Sequence, residues 1–272
     1  MKIYSWNIFF RNGKLERAFE FIQKLDFDVL CLQEVPEEFL VRLQKLPVHV
    51  SFGPDVDRVY PDRVERNFLV ILSRHRILSH GTFSLGLPEQ PLRTRLFVKA
   101  MRPLHWSRIK NRHGFFADIR VSNFSTPVRI FCLHLTLAHP EVRHREFAIA
   151  MEVYDPRLPT VICGDFNILD TPYVAPFNWV LGGSVGDALR WKRERRAFER
   201  EFSYHGFVNS LRGKRTHLLS EQLDHILTSR ELSVTSSHVV PERIGSDHYP
   251  IHVEINMRDA SQRKEGRLAG VR

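Results

Sequence analysis

The chain has 272 residues, 43% of them hydrophobic, enough for one large domain with a sizeable core. Lys and Arg number 40 against 31 Asp and Glu, and the resulting +9 charge and pI near 9.7 favour polyanionic partners: nucleic acid, anionic lipid or phosphorylated small molecules. No apolar stretch approaches the roughly 20 residues of a membrane helix, and MKIYSWNIFF has no secretory pattern, so a cytoplasmic protein without a membrane span is expected.

In chain order, KIYSWNIF alternates as a strand should, and LERAFEFIQKL repeats Leu15, Phe19, Ile22 and Leu25 at helical spacing. The apolar run DVLCLQEV predicts a buried strand, after which Pro36 opens a helix over EEFLVRLQKL. From Asn67 strands follow closely: NFLVILS, TRLFVKAMRPL, FFADIRV and VRIFCLHL. A helix is predicted from Pro140 to Val153, then the strand TVICGDFN, a highly charged helix around LRWKRERRAFEREF, and strands at LDHILTS, SVTSSHVV and HYPIHVEINM. Residues 1–257 are thus read as one catalytic domain, and the polar, basic tail 258–272 as disordered. Cys31, Cys132 and Cys163 all lie in apolar runs without a CxxC pair, which predicts reduced core thiols rather than a disulfide frame or a zinc site. Strands interleaved with a few helices, without strict βαβ alternation, predict packed sheets with helices outside.

Six polar clusters end strand-like runs: Ser5-Trp6-Asn7, Gln33-Glu34, His134, Gly164-Asp165-Phe166-Asn167, Asp224 and Ser246-Asp247-His248. Glu34 ends an apolar strand, where a buried carboxylate needs a cation, a donor or water. Asn7 either ligates or donates, or simply caps a turn. Gly164 permits close backbone approach, and Asp165 and Asn167 fall on one side of an extended chain, although a plain turn uses the same residue types. His248 is a group that can exchange protons near neutrality, with Asp224 the candidate to fix its tautomer, whereas His225 points to the opposite face. His134, alone, also fits a satisfied core histidine. Jointly these hard ligands and acid–base groups suit metal-dependent cleavage of a phosphoester, and there is no GxSxG turn, zinc spacing or Walker-type loop to suggest otherwise.

The stretches SWNI, LQEV, NFLVILSRHRI, LHL, GDFN, LDHILTS and SDHYPI, in this order, resemble the endonuclease/exonuclease/phosphatase (DNase I-like) superfamily from Ile3 to Ile251. The resemblance implies a four-layer α/β/β/α sandwich of two packed mixed sheets flanked by helices, with magnesium, or alternatively manganese, as cofactor. It implies Glu34 as the main metal ligand with Asn7 and Asp247 in or near the metal shell, and Gln33 supporting from behind. Asp165 would position or deprotonate the attacking water, Asn167 would hold a phosphoryl oxygen, and Asn7 and Asn67 would approach the substrate. Asp224 would orient His248 against the phosphate, and His134 matches a second histidine of DNase-like and phosphatase-like members. Abasic-site endonucleases usually carry tyrosine at the position of His134 and an acidic residue where this chain has Ile8-Phe9-Phe10, which disfavours that activity. Tyrosyl-DNA phosphodiesterases share the histidine but usually add an aspartate after their first motif.

Charge is the clue to substrate. LRWKRERRAFER, with Arg190, Lys192, Arg193, Arg195, Arg196 and Arg200, offers a phosphate-binding groove or a solvated helix face. Arg93, Arg95, Arg102, Arg108, Lys110 and Arg112, with Trp106 among them, form a second candidate surface suited to stacking on single strands. The sequence therefore predicts a metal-dependent phosphodiesterase acting on nucleic acid, DNA first, with no obligate protein partner. The alternatives are a phosphatase or phospholipid phosphodiesterase, or a catalytically silent nucleic-acid-binding protein.

Overall fold

The computed structural model describes residues 1–87, 89–101, 108–219 and 222–258. The first half contains β1 (Lys2–Asn7), α1 (Leu15–Lys24), β2 (Val29–Pro36), α2 (Glu37–Leu43), β3 (His49–Val59), β4 (Val64–Ser73), β5 (Arg76–Ser84), α3 (Leu92–Met101), β6 (Arg108–Lys110) and β7 (His113–Arg120). The second half adds β8 (Val128–His134), α4 (Pro140–Glu152), β9 (Thr160–Asp165), α5 (Pro176–Val180), α6 (Val185–Leu189), α7 (Lys192–Tyr204), β10 (Phe207–Asn209), β11 (Asp224–Ser229), β12 (Leu232–Val239) and β13 (Ile251–Met257). Among the described residues, seven strands form one sheet in the order β12-β13-β1-β2-β4-β3-β6 and six form the other in the order β10-β11-β9-β8-β7-β5.

Alternation along each central strand sends one set of side chains between the sheets and the other outward. Ile3, Cys31, Ile71, Phe115, Ile130, Cys132, Val161 and Cys163 fill the space between the sheets, while Tyr4, Trp6, Leu30 and Leu32 face α1 and α2. On the other side Phe131, Leu133 and Ile162 pack against Phe147 of α4 and Phe198 and Phe202 of α7. The result is the expected four-layer α/β/β/α sandwich. The three cysteines are free and buried, and burial raises the Cys31 and Cys132 thiols well above their usual range.

Two parallel pairs explain where the site must be. β1 runs parallel to β2, with Asn7 beside Gln33, and β8 runs parallel to β9, with His134 beside Asp165. Their carboxyl ends therefore open at one edge of the sandwich. β11 lies antiparallel to β9 and begins there with Asp224 opposite Asp165, and antiparallel β13 brings the segment before Ile251 to the end of β1.

One predicted strand is a helix. TRLFVKAMRPL shows a two-residue alternation at Leu96 and Val98, but the shielded positions are Thr94, Phe97, Val98 and Met101, spaced by three and four, and Leu92–Met101 folds as α3. Its remainder, from Arg102 onward, lies outside the described residues. β3 and β5 did not register in the sequence: Gly53-Pro54 breaks β3, with a register shift between Pro54 and Val56, and β5 is an edge strand with mostly exposed residues. The chain after β13 is hydrogen bonded at Arg258, whose amide donates to Glu231 O, and the rest of the expected tail, 259–272, is outside the described residues. No helix among the described residues is long and apolar enough to cross a membrane.

Candidate active site

Asp165 ends β9 at the centre of the site. The preceding Gly164 allows β8 to come close, since a Cβ there would lie 1.9 Å from Leu133 O. The chain then turns instead of staying extended, with Asn167 left-handed at φ 50°, and the turn folds Asn167 back onto the carboxylate. Asn167 N donates to Asp165 Oδ1 at 2.9 Å, and Asn7 Nδ2 and Asn167 Nδ2 donate to Oδ2 at 3.1 and 3.3 Å. Asn167 Nδ2 also reaches Leu135 O. Asp165 and Asn167 thus do meet, by a tight turn.

Two imidazoles flank the same carboxylate. His248 Nε2 is 3.7 Å and His134 Nε2 3.9 Å from Asp165 Oδ2. Behind His248, Asp224 Oδ2 lies 2.9 Å from Nδ1; behind His134, both oxygens of Asp55 lie 2.9 and 3.1 Å from Nδ1. Asp55 and Asp224 are almost fully buried. Burial works against a charged imidazole, but Asp224, Asp165 and Asp247 outweigh it and hold His248 up to about 10. Burial likewise opposes, and Asp55, Glu34 and Asp165 overcome it to raise, the pKa of His134, while the Asp55 carboxyl is lowered by His134, Arg112 and Arg58 against its own burial. Burial also raises Asp224, opposed by His248, and the imidazolium–carboxylate form is favoured because two further carboxylates, Asp165 and Asp247, lie on the far side of His248.

Glu34 reaches the site through a bulge between Leu32 and Val35, where its own φ is 56°. Its Oε2 accepts from Phe10 N at 3.1 Å, its Oε1 is 3.2 Å from Arg58 Nη2 and 3.6 Å from His134 Nε2, and its amide donates to Asp55 Oδ2. Ser246 ties the last cluster to the first: its hydroxyl donates to Asn7 O at 2.7 Å and accepts from His248 N at 3.0 Å. Asn7 Oδ1 accepts from Phe9 N.

Other expectations are corrected. Gln33 alternates away from the site into the space between the sheets, where Nε2 meets Ser5 Oγ and Cys132 Sγ. Asn67 does not line the cleft; its Oδ1 accepts from Arg58 Nε at 3.0 Å, so any action on substrate passes through Arg58. Of the LRWKRERRAFER cations none lines the cleft, and Arg195 is spent on Asp170, Gln222 O and His225 Nε2. Of the second basic set Arg95, Arg108, Lys110 and Arg112 do line it, Arg93 is turned onto the carbonyls of Trp179 and Gly183, and Arg102 and Trp106 lie outside the described residues. His225 faces away as expected, against Phe166. Asp55, Arg58 and His217 were missed: a lone Asp after Gly-Pro reads as a turn, and nothing local marks the other two.

The cleft over this floor measures about 1170 Å³ and is lined by Asn7, Glu34, His134, Asp165, Asn167, Asp247 and His248. The carboxylate and amide oxygens among them suit a hard divalent cation. Asp224 Oδ1 and Asp247 Oδ1, both shielded, have no hydrogen-bond partner, which fits a site with capacity for a further cation. Among the described residues, the groups of three close enough to share an ion are Asp165, Asp224 and His248, and His217, Asp247 and His248; Glu34 belongs to neither and is paired with Arg58.

This edge-of-sandwich arrangement agrees with the match of residues 4–248 to the model of the endonuclease/exonuclease/phosphatase family. The chain belongs to that family. Similar folds include an endonuclease/exonuclease/phosphatase from Beutenbergia cavernae (18% identity, TM-score 0.70, covering 96% of this chain and 72% of that one). The human Nocturnin catalytic domain with bound sulfate shares 15% identity at a TM-score of 0.62, covering 95% of this chain and 93% of that one. A 3' phosphatase from Neisseria bound to a product DNA hairpin shares 19% at 0.59, covering 94% and 99%. No curated protein matches the chain in sequence. Family members include nucleases and phosphatases and are generally phosphoric ester hydrolases that use a divalent metal.

Proposed function

We propose that the chain is a magnesium-dependent phosphodiesterase acting on nucleic acid, with DNA strands as its substrate. The observation that carries the chemistry is Asp165 held between two imidazoles, each backed by a buried carboxylate. In-line attack needs a proton acceptor for water and positive groups where charge grows on the phosphate. Asp165, fixed by Asn7 and Asn167, takes the proton. His248, retained as imidazolium by Asp224 and its other acidic neighbours, donates from Nε2 to a phosphoryl oxygen, and His134 does so from the opposite sheet. Asn167 holds the phosphoryl group beside them. Glu34, Asn7 and Asp247 would hold the divalent ion, whose chemistry there is Lewis-acid polarisation of a phosphoryl oxygen.

DNA is supported by the far wall of the cleft. Arg95, Lys99, Arg108 and Lys110 line it, and none has an ion-pair partner among the described residues. Several free cations in one groove suit a chain of phosphates better than a single one. Apolar Leu137, Phe177 and Leu219, each about half exposed, share the cleft, and unpaired bases present faces for such side chains. The Neisseria neighbour described with product DNA adds weight. The same apolar side chains favour a second reading, a phospholipid phosphodiesterase.

Single-stranded and duplex DNA, RNA, phosphoinositide and sphingomyelin, assayed with magnesium, separate the two. Faster turnover of DNA is expected. Turnover confined to lipid or to small phosphomonoesters would overturn the substrate assignment, and DNA binding without turnover of any substrate would identify a silent binder.

A further inference from the structure

His217 has no role in the chemistry just described, yet the chain around it is tied to three groups of the site. Residues 216–218 run antiparallel to 247–249: Leu218 N donates to Asp247 O at 2.9 Å and Tyr249 N to Thr216 O at 2.7 Å. Thr216 Oγ1 accepts from the amides of Leu223 and Asp224, both at 3.0 Å, which fixes the start of β11. The pairing sets the His217 ring edge-on against His248, with centroids 4.7 Å apart. His217 Nε2 then lies 3.5 Å from Asp247 Oδ2.

The other ring nitrogen decides what Nε2 can do. Leu219 N donates to His217 Nδ1 at 3.2 Å. A nitrogen that accepts a hydrogen bond carries no proton, so in this ring the proton is on Nε2. A protonated Nε2 has no lone pair for a metal. His217, Asp247 and His248 have the mutual spacing of a three-ligand site, within 4.8 Å, but the backbone of Leu219 turns His217 into a donor. The acceptor within its reach is Asp247 Oδ2, while Asp247 Oδ1 has no hydrogen-bond partner and lies 3.9 Å from His248 Nε2.

We propose that His217 is a positioning residue: its Nε2–H holds Asp247 Oδ2 and so leaves Oδ1 available to a divalent ion. The inference rests on the metal-dependent reading above. Groups that orient a metal ligand typically contribute about 10–100-fold in metal affinity or activity.

The test uses the full chain, manganese as probe and two variants. His217→Gln keeps an N–H at about the reach of Nε2, and His217→Ala does not. Calorimetry should show manganese affinity about tenfold weaker in His217→Ala and largely restored in His217→Gln. Long-range proton–nitrogen correlation on the wild type, with the His217 signal assigned by its loss in His217→Ala, should show the Nε2–H tautomer whether or not either variant folds well. An unchanged affinity in folded His217→Ala, no rescue in folded His217→Gln, or a proton on Nδ1 would each overturn the proposal. Wild-type turnover of bis(4-nitrophenyl) phosphate keeps the two claims apart: an active wild type with any of those results sinks only His217, whereas a wild type that neither binds manganese nor turns over sinks the hydrolase reading with it.

Discussion

His248 and Asp224 act as one group if the carboxylate's purpose is to hold the imidazole protonated and aimed at Asp165. Their 2.9 Å contact and the burial of Asp224 make that the expected arrangement. His248→Ala and Asp224→Asn should each lower kcat/KM by about 10²–10⁴-fold. The double variant should be little worse than the poorer single one, and a double-mutant cycle in which the free-energy losses add fully would show two independent residues. Asp55→Asn should likewise impair turnover, because it removes the charge that raises His134 against its burial. A variant with wild-type kcat/KM would show that His134 needs no carboxylate. Asp165 and Asn167 were legible because they follow an apolar run whose period locates a strand end, and Asp224 and His248 because each stands just before or at the start of one. Asp55 was not, because it belongs to a strand interrupted at Gly53-Pro54, and its role appears only when β3 and β8 bring it to His134 from 79 residues away.

At the scale of elements, buried charges and buried neutral histidines make opposite predictions. Arg143 of α4 is fully buried and bonded to Glu194 of α7 at 2.6 and 2.7 Å, to Ala138 O and to Asn178 Oδ1. Glu194→Ala leaves that guanidinium uncompensated and should destabilise the fold by about 3–5 kcal/mol in denaturant titration. A loss within experimental error would mean that water or another group reaches Arg143. By contrast, His225 and His252 are kept uncharged by burial first, then by Arg195 and by His238 respectively, with His252 pushed down to about 4. A histidine whose folded pKa lies below its unfolded value of about 6.5 gains its proton mainly on unfolding. Its stabilising contribution is therefore full above that value and is lost as pH falls toward 4. Denaturant midpoints should drop from about pH 7 to about pH 4.5, and drop less in His252→Phe, which keeps a ring against Tyr4 but cannot titrate. An equal drop in both would remove His252 from the account. The same scale shows why α3 was misread: a ten-residue segment carries both a two-residue and a 3–4-residue pattern, and contact with the Val180 carbonyl through Thr94 Oγ1 is not written in its own sequence.

For the whole molecule, the order of strands was only partly legible. Local periodicity located most of them, but two parallel pairs opening at one edge is a long-range property, reached through the family resemblance rather than through any single run. Net charge was equally coarse: it suggested a polyanion, yet the densest basic run lies outside the cleft, while dispersed cations line it, among them Arg95, Lys99, Arg108 and Lys110, the four without an ion-pair partner named above. If those four meet phosphates, log affinity for a single strand should fall with log salt at a slope of about −3, from about 0.7 per contact, and Lys99→Ala should reduce the slope by about 0.7. A flat plot would move weight to a small or lipid substrate.

The central claim is hydrolysis of a phosphoester by Asp165 and its flanking imidazoles with a divalent ion. The most direct measurement is the rate of DNA phosphodiester hydrolysis by wild type and Asp165→Asn, each with magnesium, after chelation, and after magnesium is restored. Wild-type turnover should vanish with the chelator and return with the metal, while folded Asp165→Asn stays about 10²–10⁴-fold slower than wild type whenever magnesium is present. Turnover that survives chelation, or a folded Asp165→Asn as fast as wild type, would contradict it.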